Sequence, residues 1–133
     1  VIAEGAFVEV LFPTSEHPRQ PGLRHICYCL GVRPPIALVA YTTSVPWPAD
    51  MPLPFGVRIF SQAEAEALNQ RRAFRLHLNR QARIPLTEKW FPGLGAADQS
   101  VIAVASSRLR QELLALAIEL ERRHRQTVEQ FGP

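Results

Sequence analysis

The chain has 133 residues, 47% of them hydrophobic and 20% charged, with a formal net charge of +3 at pH 7. Its length suits one domain (1–133) around a single core, and its balance of residues excludes general disorder. Two cysteines do not make a disulfide scaffold, and no apolar run approaches the ~20 residues of a membrane-spanning helix.

"AFVEVLF" predicts a first strand over 6–12, with Ala6, Val8, Val10 and Phe12 on one face and Glu9 on the other; Gly5 and Pro13 mark its ends. The second strand, "HICYCLGV", begins just after Arg24. Cys27 and Cys29 lie two apart and so share a face. No second Cys or His pair stands at zinc-ligand spacing, so they read as core thiols in a reducing compartment, with no metal or other cofactor implied. Neither a secretory signal nor a transit peptide is expected, and the location that follows is cytoplasmic.

"IALVAYTTS" predicts a third strand over 36–44 that ends in Thr42, Thr43 and Ser44. Short connections among these three strands predict an antiparallel meander, because parallel neighbours need a long crossover. The segment 45–54 carries four prolines around Trp47 and is a stiffened loop. "FGVRIF" then reads as a fourth strand and "SQAEAEALNQRR" as a short helix, with Ser61 and Glu64 spaced as a capping box.

Over 73–86 apolar residues take the even positions except Arg80, while Arg75, His77, Asn79, Gln81 and Arg83 take odd ones. This is a half-buried strand, expected to bulge at 79–81, whose polar face is either solvated or a binding surface. "SVIAVA" predicts a last strand, and Ser106 or Ser107 caps a closing helix expected over about 107–130. Its stripe of Leu109, Leu113, Leu116 and Leu120, widened by Leu114 and Ile118, packs on the barrel or on a partner subunit. The basic run Arg122 to Arg125 suits the helix's C-terminal dipole. Lys89 is the only lysine; an arginine-rich chain suits phosphate, although a codon preference leaves the same mark.

Taken in order, "GAFVEVLFP" at 5–13, "RQPGLRH" at 19–25, "ALVAYTTS" at 37–44 and "NRQARIPLT" at 79–87 resemble the PemK/MazF family of toxins from type II toxin-antitoxin systems. The resemblance implies an α+β, mainly β fold: an SH3-like barrel of antiparallel strands with a short helix and a C-terminal helix. It also implies a homodimer that cleaves single-stranded RNA without metal and is inhibited by a small antitoxin protein. The family's loop reads Glu-Gln-x-Gly-x-Arg-Pro, and its arginine acts with a hydroxyl residue at the end of the third strand. Those positions fall on Arg24 and Thr43; Gln20 and Gly22 match the loop, and Gln81 and Arg83 match a later Gln-x-Arg piece. Arg19 stands where glutamate is usual, Pro21 fills a flexible position, and His25 replaces the loop's proline.

In the chemistry this implies, the 2'-hydroxyl attacks the adjacent phosphorus. Arg24 supplies the cation for the phosphorane, and Thr43 hydrogen-bonds a phosphate oxygen, with Ser44 beside it. His25 and His77 are the candidates for proton transfer. Strand alternation sets Arg24 with Ile26 and turns His25 away from both, which favours His77. Arg19, Gln20, Trp47, Arg75, Asn79, Gln81 and Arg83 are the candidate RNA contacts, with Trp47 either stacking on a base or anchoring its own loop. Two alternatives remain: a non-catalytic SH3-like module binding nucleic acid or antitoxin, and a gyrase-poisoning toxin of the same fold.

Overall fold

The computed structural model describes residues 1–95 and 99–132. Strands β1 (Ala6–Phe12), β2 (Leu23–Arg33) and β3 (Ile36–Thr43) lead to the short strand β4 (Val57–Phe60) and helix α1 (Gln62–Ala67). Then come β5 (Phe74–Pro85), a single 3-10 turn (Pro92–Leu94), β6 (Val101–Val104), α2 (Ser107–Arg122) and β7 (Thr127–Gln130). The result is a mainly-β α+β fold, one curled seven-stranded sheet with two helices. Its order is β4-β5-β3-β2-β1-β6, and β7 lies beside β5.

The meander β1-β2-β3 is antiparallel, as the short connections require. Alternation along these strands then fills two cores. On one face Val8, Val10, Phe12, Cys27, Cys29, Ala37, Val39, Ala82 and Ile84 meet Trp90, Phe91 and Phe131. On the other, Phe7, Tyr28, Phe60, Phe74, Leu76 and Leu78 meet Leu113 and Leu120 of α2. Burying each of those two leucines stabilises the fold by ~1.5–3 kcal/mol. Leu114 and Ile118, the outer part of the expected stripe, stay exposed.

The capping box forms: Ser61 Oγ accepts from the Glu64 amide, and the Glu64 carboxylate accepts from the Ser61 amide. Ser106 caps α2. The closing helix is shorter than the sequence suggested, ending at Arg122 rather than near 130. His124 takes φ 52°, and the amides of His124 and Arg125 donate to the carbonyls of Glu121 and Leu120. That double bond with a left-handed residue between is a Schellman stop, and it frees the following residues to extend. They form β7, which pairs with β5 in parallel, so the sheet is not wholly antiparallel. The long connection through β6 and α2 makes the parallel pairing possible. Phe131, just past β7, is buried with its ring edge-on to Phe12.

Strand β5 bulges as expected: Tyr41 faces His77, yet its neighbour Ala40 faces Gln81. The displaced residues between them break the polar face that strict alternation implies. Gln81 is consequently buried, its side-chain amide donating to the Leu78 carbonyl. Before the bulge β5 carries β4 on its outer edge, and after it β7.

Candidate functional site

Strands β2 and β3 pair only as far as Tyr28 and Ala40; beyond them β2 follows β1 while β3 follows β5. The splayed ends are bridged by side chains. Thr42 Oγ1 donates to the Ile26 carbonyl at 2.7 Å, and His25 Nδ1 lies 2.7 Å from the Thr42 carbonyl. A carbonyl only accepts, so Nδ1 carries the proton and Nε2 of the neutral ring keeps its lone pair.

At this splay opens a pocket of about 500 Å³, lined by Arg24 and His25 of β2, Thr42, Thr43 and Ser44 at the end of β3, and the segment after α1. Arg24 gets there because the loop before it turns back tightly on β1. The Gly22 amide bonds the Leu11 carbonyl, and a Cβ on Gly22 would stand 2.1 Å from the Phe12 oxygen. Only glycine fits that approach. Thr43 Oγ1 accepts from the Val45 amide at 3.2 Å, which leaves its O–H free to donate.

Asn69, Gln70, Arg71 and Arg72 complete the pocket. Asn69 takes φ 58° and, with the Gln70 amide bonded to the Ala65 carbonyl, reverses the chain after α1 so that the two arginines line the same pocket as Arg24. In sequence they read only as a helix end; the reversal at Asn69 is the signal that locates them. Among the described residues no carboxylate lines the pocket. Glu9 Oε1 lies 3.2 Å from Arg24 Nε, and the Arg24 side chain is 56% exposed. Alternation thus puts Arg24 on the Glu9 and Ile26 side, as expected, while the His25 ring turns to the opposite face against Tyr41 and Phe12.

On that opposite face a row of rings and guanidinium groups crosses the sheet. Tyr41 meets His77 at 5.7 Å and His77 meets Trp47 at 6.4 Å between ring centroids, while Arg80 lies over Tyr41 and Arg75 over Trp47. Burial, aided by the charges of Arg75 and Arg80, pushes His77 down to about 4; burial also lowers His25. Both imidazoles are therefore neutral at pH 7. Arg75 Nε, His77 Nε2 and Asn79 Oδ1 are buried with no hydrogen-bond partner among the described residues. Trp47 Nε1 donates to the Met51 carbonyl, so the tryptophan is also an anchor of its own loop.

The structure therefore brings Arg24, His25, Thr43 and Ser44 into one pocket and sets Trp47, Arg75 and His77 beside it, with Asn79 further along at the bulge. It does not bring the remaining candidates there. Gln81 is buried, and Arg83 sits five ladder positions along β3 from Thr43, opposite Leu38, roughly 16 Å away. Arg19 and Gln20 are exposed on a loop whose contacts lead elsewhere: the Arg19 carbonyl accepts from Lys89 Nζ, and Ser15 bonds Glu129 of β7. Burial pushes Cys27 up to about 12 and Cys29 to about 11, so these are the inert core thiols expected. Among the described residues no helix is long and apolar enough to cross a membrane. Compared with known proteins, the chain matches no family model and no curated protein.

Proposed function

We propose that this chain is an SH3-like barrel of the PemK/MazF kind, an endoribonuclease toxin that cleaves single-stranded RNA without metal. The observation that carries the reading is that Arg24 and Thr43, taken from two distant segments, line one pocket enriched by Arg71 and Arg72, with no carboxylate among its described lining residues. Such a pocket suits a phosphodiester: the guanidinium groups balance the charge that grows on the phosphorane, and the free Thr43 O–H donates to one of its oxygens. The 2'-hydroxyl oxygen attacks phosphorus and gives its proton to water, because the His25 ring is turned to the opposite face, against Tyr41 and Phe12. The 5'-oxygen of the next nucleotide leaves and takes a proton from water, giving a 2',3'-cyclic phosphate and a 5'-hydroxyl. His77, like His25, lies in the ring row and serves binding rather than proton transfer.

The same reading includes a homodimer, a cytoplasmic location and a small inhibitory antitoxin, for which the exposed Leu114 and Ile118 of α2 offer an apolar face. A second reading, a module that binds nucleic acid without cutting it, is favoured by the Arg24–Glu9 ion pair, which occupies the key guanidinium. Incubation of the protein with a long single-stranded RNA in EDTA, followed by mapping of fragment ends, separates the two. Cyclic-phosphate ends that vanish with Arg24→Ala support the nuclease. Intact RNA that the protein nonetheless binds supports the module, and cleavage that Arg24→Ala leaves unchanged removes Arg24 from the chemistry.

A further inference from the structure

Next to the arginine-lined pocket, and sharing Ser44 and Phe74 with it, is a second cavity of about 410 Å³. That volume lies in the ~300–1,000 Å³ range of small-ligand sites. Its walls are the proline-rich loop on one side, including Trp47, Met51 and Leu53, and Ile59 and Phe60 of β4 on the other. Met51, Leu53 and Ile59 are large apolar side chains left exposed there. Among the lining residues the only polar side chains besides Trp47 are Ser44 and Arg75. Trp47 Nε1 is already bonded to the Met51 carbonyl, so the indole offers only its face. Arg75 Nε is buried with no hydrogen-bond partner among the described residues, and its guanidinium lies over the Trp47 ring, 5.0 Å from the centroid, so a flat ligand takes that place on the indole and moves the guanidinium to its own edge.

An apolar slot with one aromatic face and one guanidinium whose Nε has no partner among the described residues has a definite complement. The ligand is flat and aromatic, so that it stacks on Trp47, and its edge carries hydrogen-bond acceptors, because Arg75 only donates. We infer that this cavity is a nucleobase subsite that selects guanine, with Trp47 as the stacking platform and Arg75 reading the two acceptors O6 and N7. A fork pairing with those two atoms is the best geometric match a guanidinium finds among the bases; adenine presents a donor at the matching position, and cytosine and uracil lack N7. Register supports the placement: Arg75 lies directly opposite Thr43, so a base in the slot and its phosphate beside Thr43 and Arg24 belong to one nucleotide or its neighbour. This inference rests on the reading of the larger pocket as a phosphodiester site.

The test uses oligodeoxynucleotides, which lack the 2'-hydroxyl and are not cut. Four fluorescently labelled strands are compared by anisotropy: an all-thymine strand and the same strand with one central guanine, adenine or cytosine. The guanine strand is expected to bind about tenfold tighter or more than the others. It is also expected to quench Trp47 emission, a signal that Trp47→Phe removes; Trp90 is fully buried and does not report. Arg75→Met, and Arg75→Lys, which keeps the charge but not the fork, are expected to erase the guanine advantage. Affinity of the wild type for the all-thymine strand, carried by phosphate contacts, falls with salt.

Equal affinity for the four strands, a preference for another base, or a guanine preference that survives both Arg75 variants overturns the inference. Should both variants fail to fold, the wild-type ranking and the Trp47 quench decide it. A guanine preference in a protein that leaves RNA intact upholds the subsite and removes the nuclease reading. RNA cleavage with no base preference does the reverse.

Discussion

Arg24 Nε stands 3.2 Å from Glu9 Oε1 across the β1–β2 ladder, so the guanidinium that faces the pocket already has a counter-charge. More than half of the Arg24 side chain is open to water, and an exposed pair of this kind is worth only ~0–1 kcal/mol. A phosphate therefore displaces the carboxylate at little cost. Glu9→Gln is expected to leave the melting temperature within a few degrees while strengthening binding of a single-stranded oligonucleotide at low salt. Unchanged or weaker binding would show that Glu9 orients Arg24 rather than competing for it.

Two neighbouring threonines divide structure from chemistry. Thr42 is buried and its hydroxyl holds the splayed strands together through the Ile26 carbonyl. Thr42→Val strands that carbonyl and is expected to lower unfolding free energy by ~1–3 kcal/mol in denaturant titration. Thr43 sits at the rim with a free O–H, so Thr43→Val is expected to cost stability little but to slow RNA cleavage by about 100-fold. If both variants lose the same stability and activity, the division is wrong.

Acid should weaken the fold through His77. In the folded chain its pKa is about 4, against an ordinary value of 6.5, so between those values the unfolded chain binds the proton and the folded chain does not. Stability is then full above pH 6.5, declines as pH falls toward 4, and levels off below. His25 shifts in the same direction and adds to the decline. Melting temperature measured against pH is expected to drop less steeply across this window in His77→Gln than in the wild type. Parallel curves would mean that protonation of His77 is not what destabilises the fold.

The thiols give a further check. With Cys27 and Cys29 raised to about 12 and about 11 and both fully buried, neither forms thiolate at pH 8. Native protein is expected to resist iodoacetamide, and denatured protein to take up two labels by mass spectrometry. Rapid labelling of the native chain would contradict the burial of this face of β2.

Much of the fold was legible because it is local. The alternation of Ala6, Val8, Val10 and Phe12 set β1, the spacing of Ser61 and Glu64 set the start of α1, and the proline-rich loop barred any regular element over 45–54. The end of α2 was not legible, because helix propensity runs on through Arg123 to Gln126 and only a left-handed His124 stops it. Strand β7 was likewise invisible: four residues with little pattern of their own become a strand only when β5 offers an edge.

For the site, sequence by itself determined the residue types and the local sides they take. Arg24 opposes His25 because successive strand residues point to opposite faces, and Gly22 is needed where the loop returns to β1. Only the tertiary structure decided which of these meet. The β5 bulge buried Gln81, and distance along the ladder removed Arg83; the reversal at Asn69 delivered Arg71 and Arg72, while the splay of β2 from β3 opened the space that holds them with Arg24 and Thr43. Those outcomes depend on pairing register and loop closure between segments far apart in the chain, and periodicity within a segment carries no information about either.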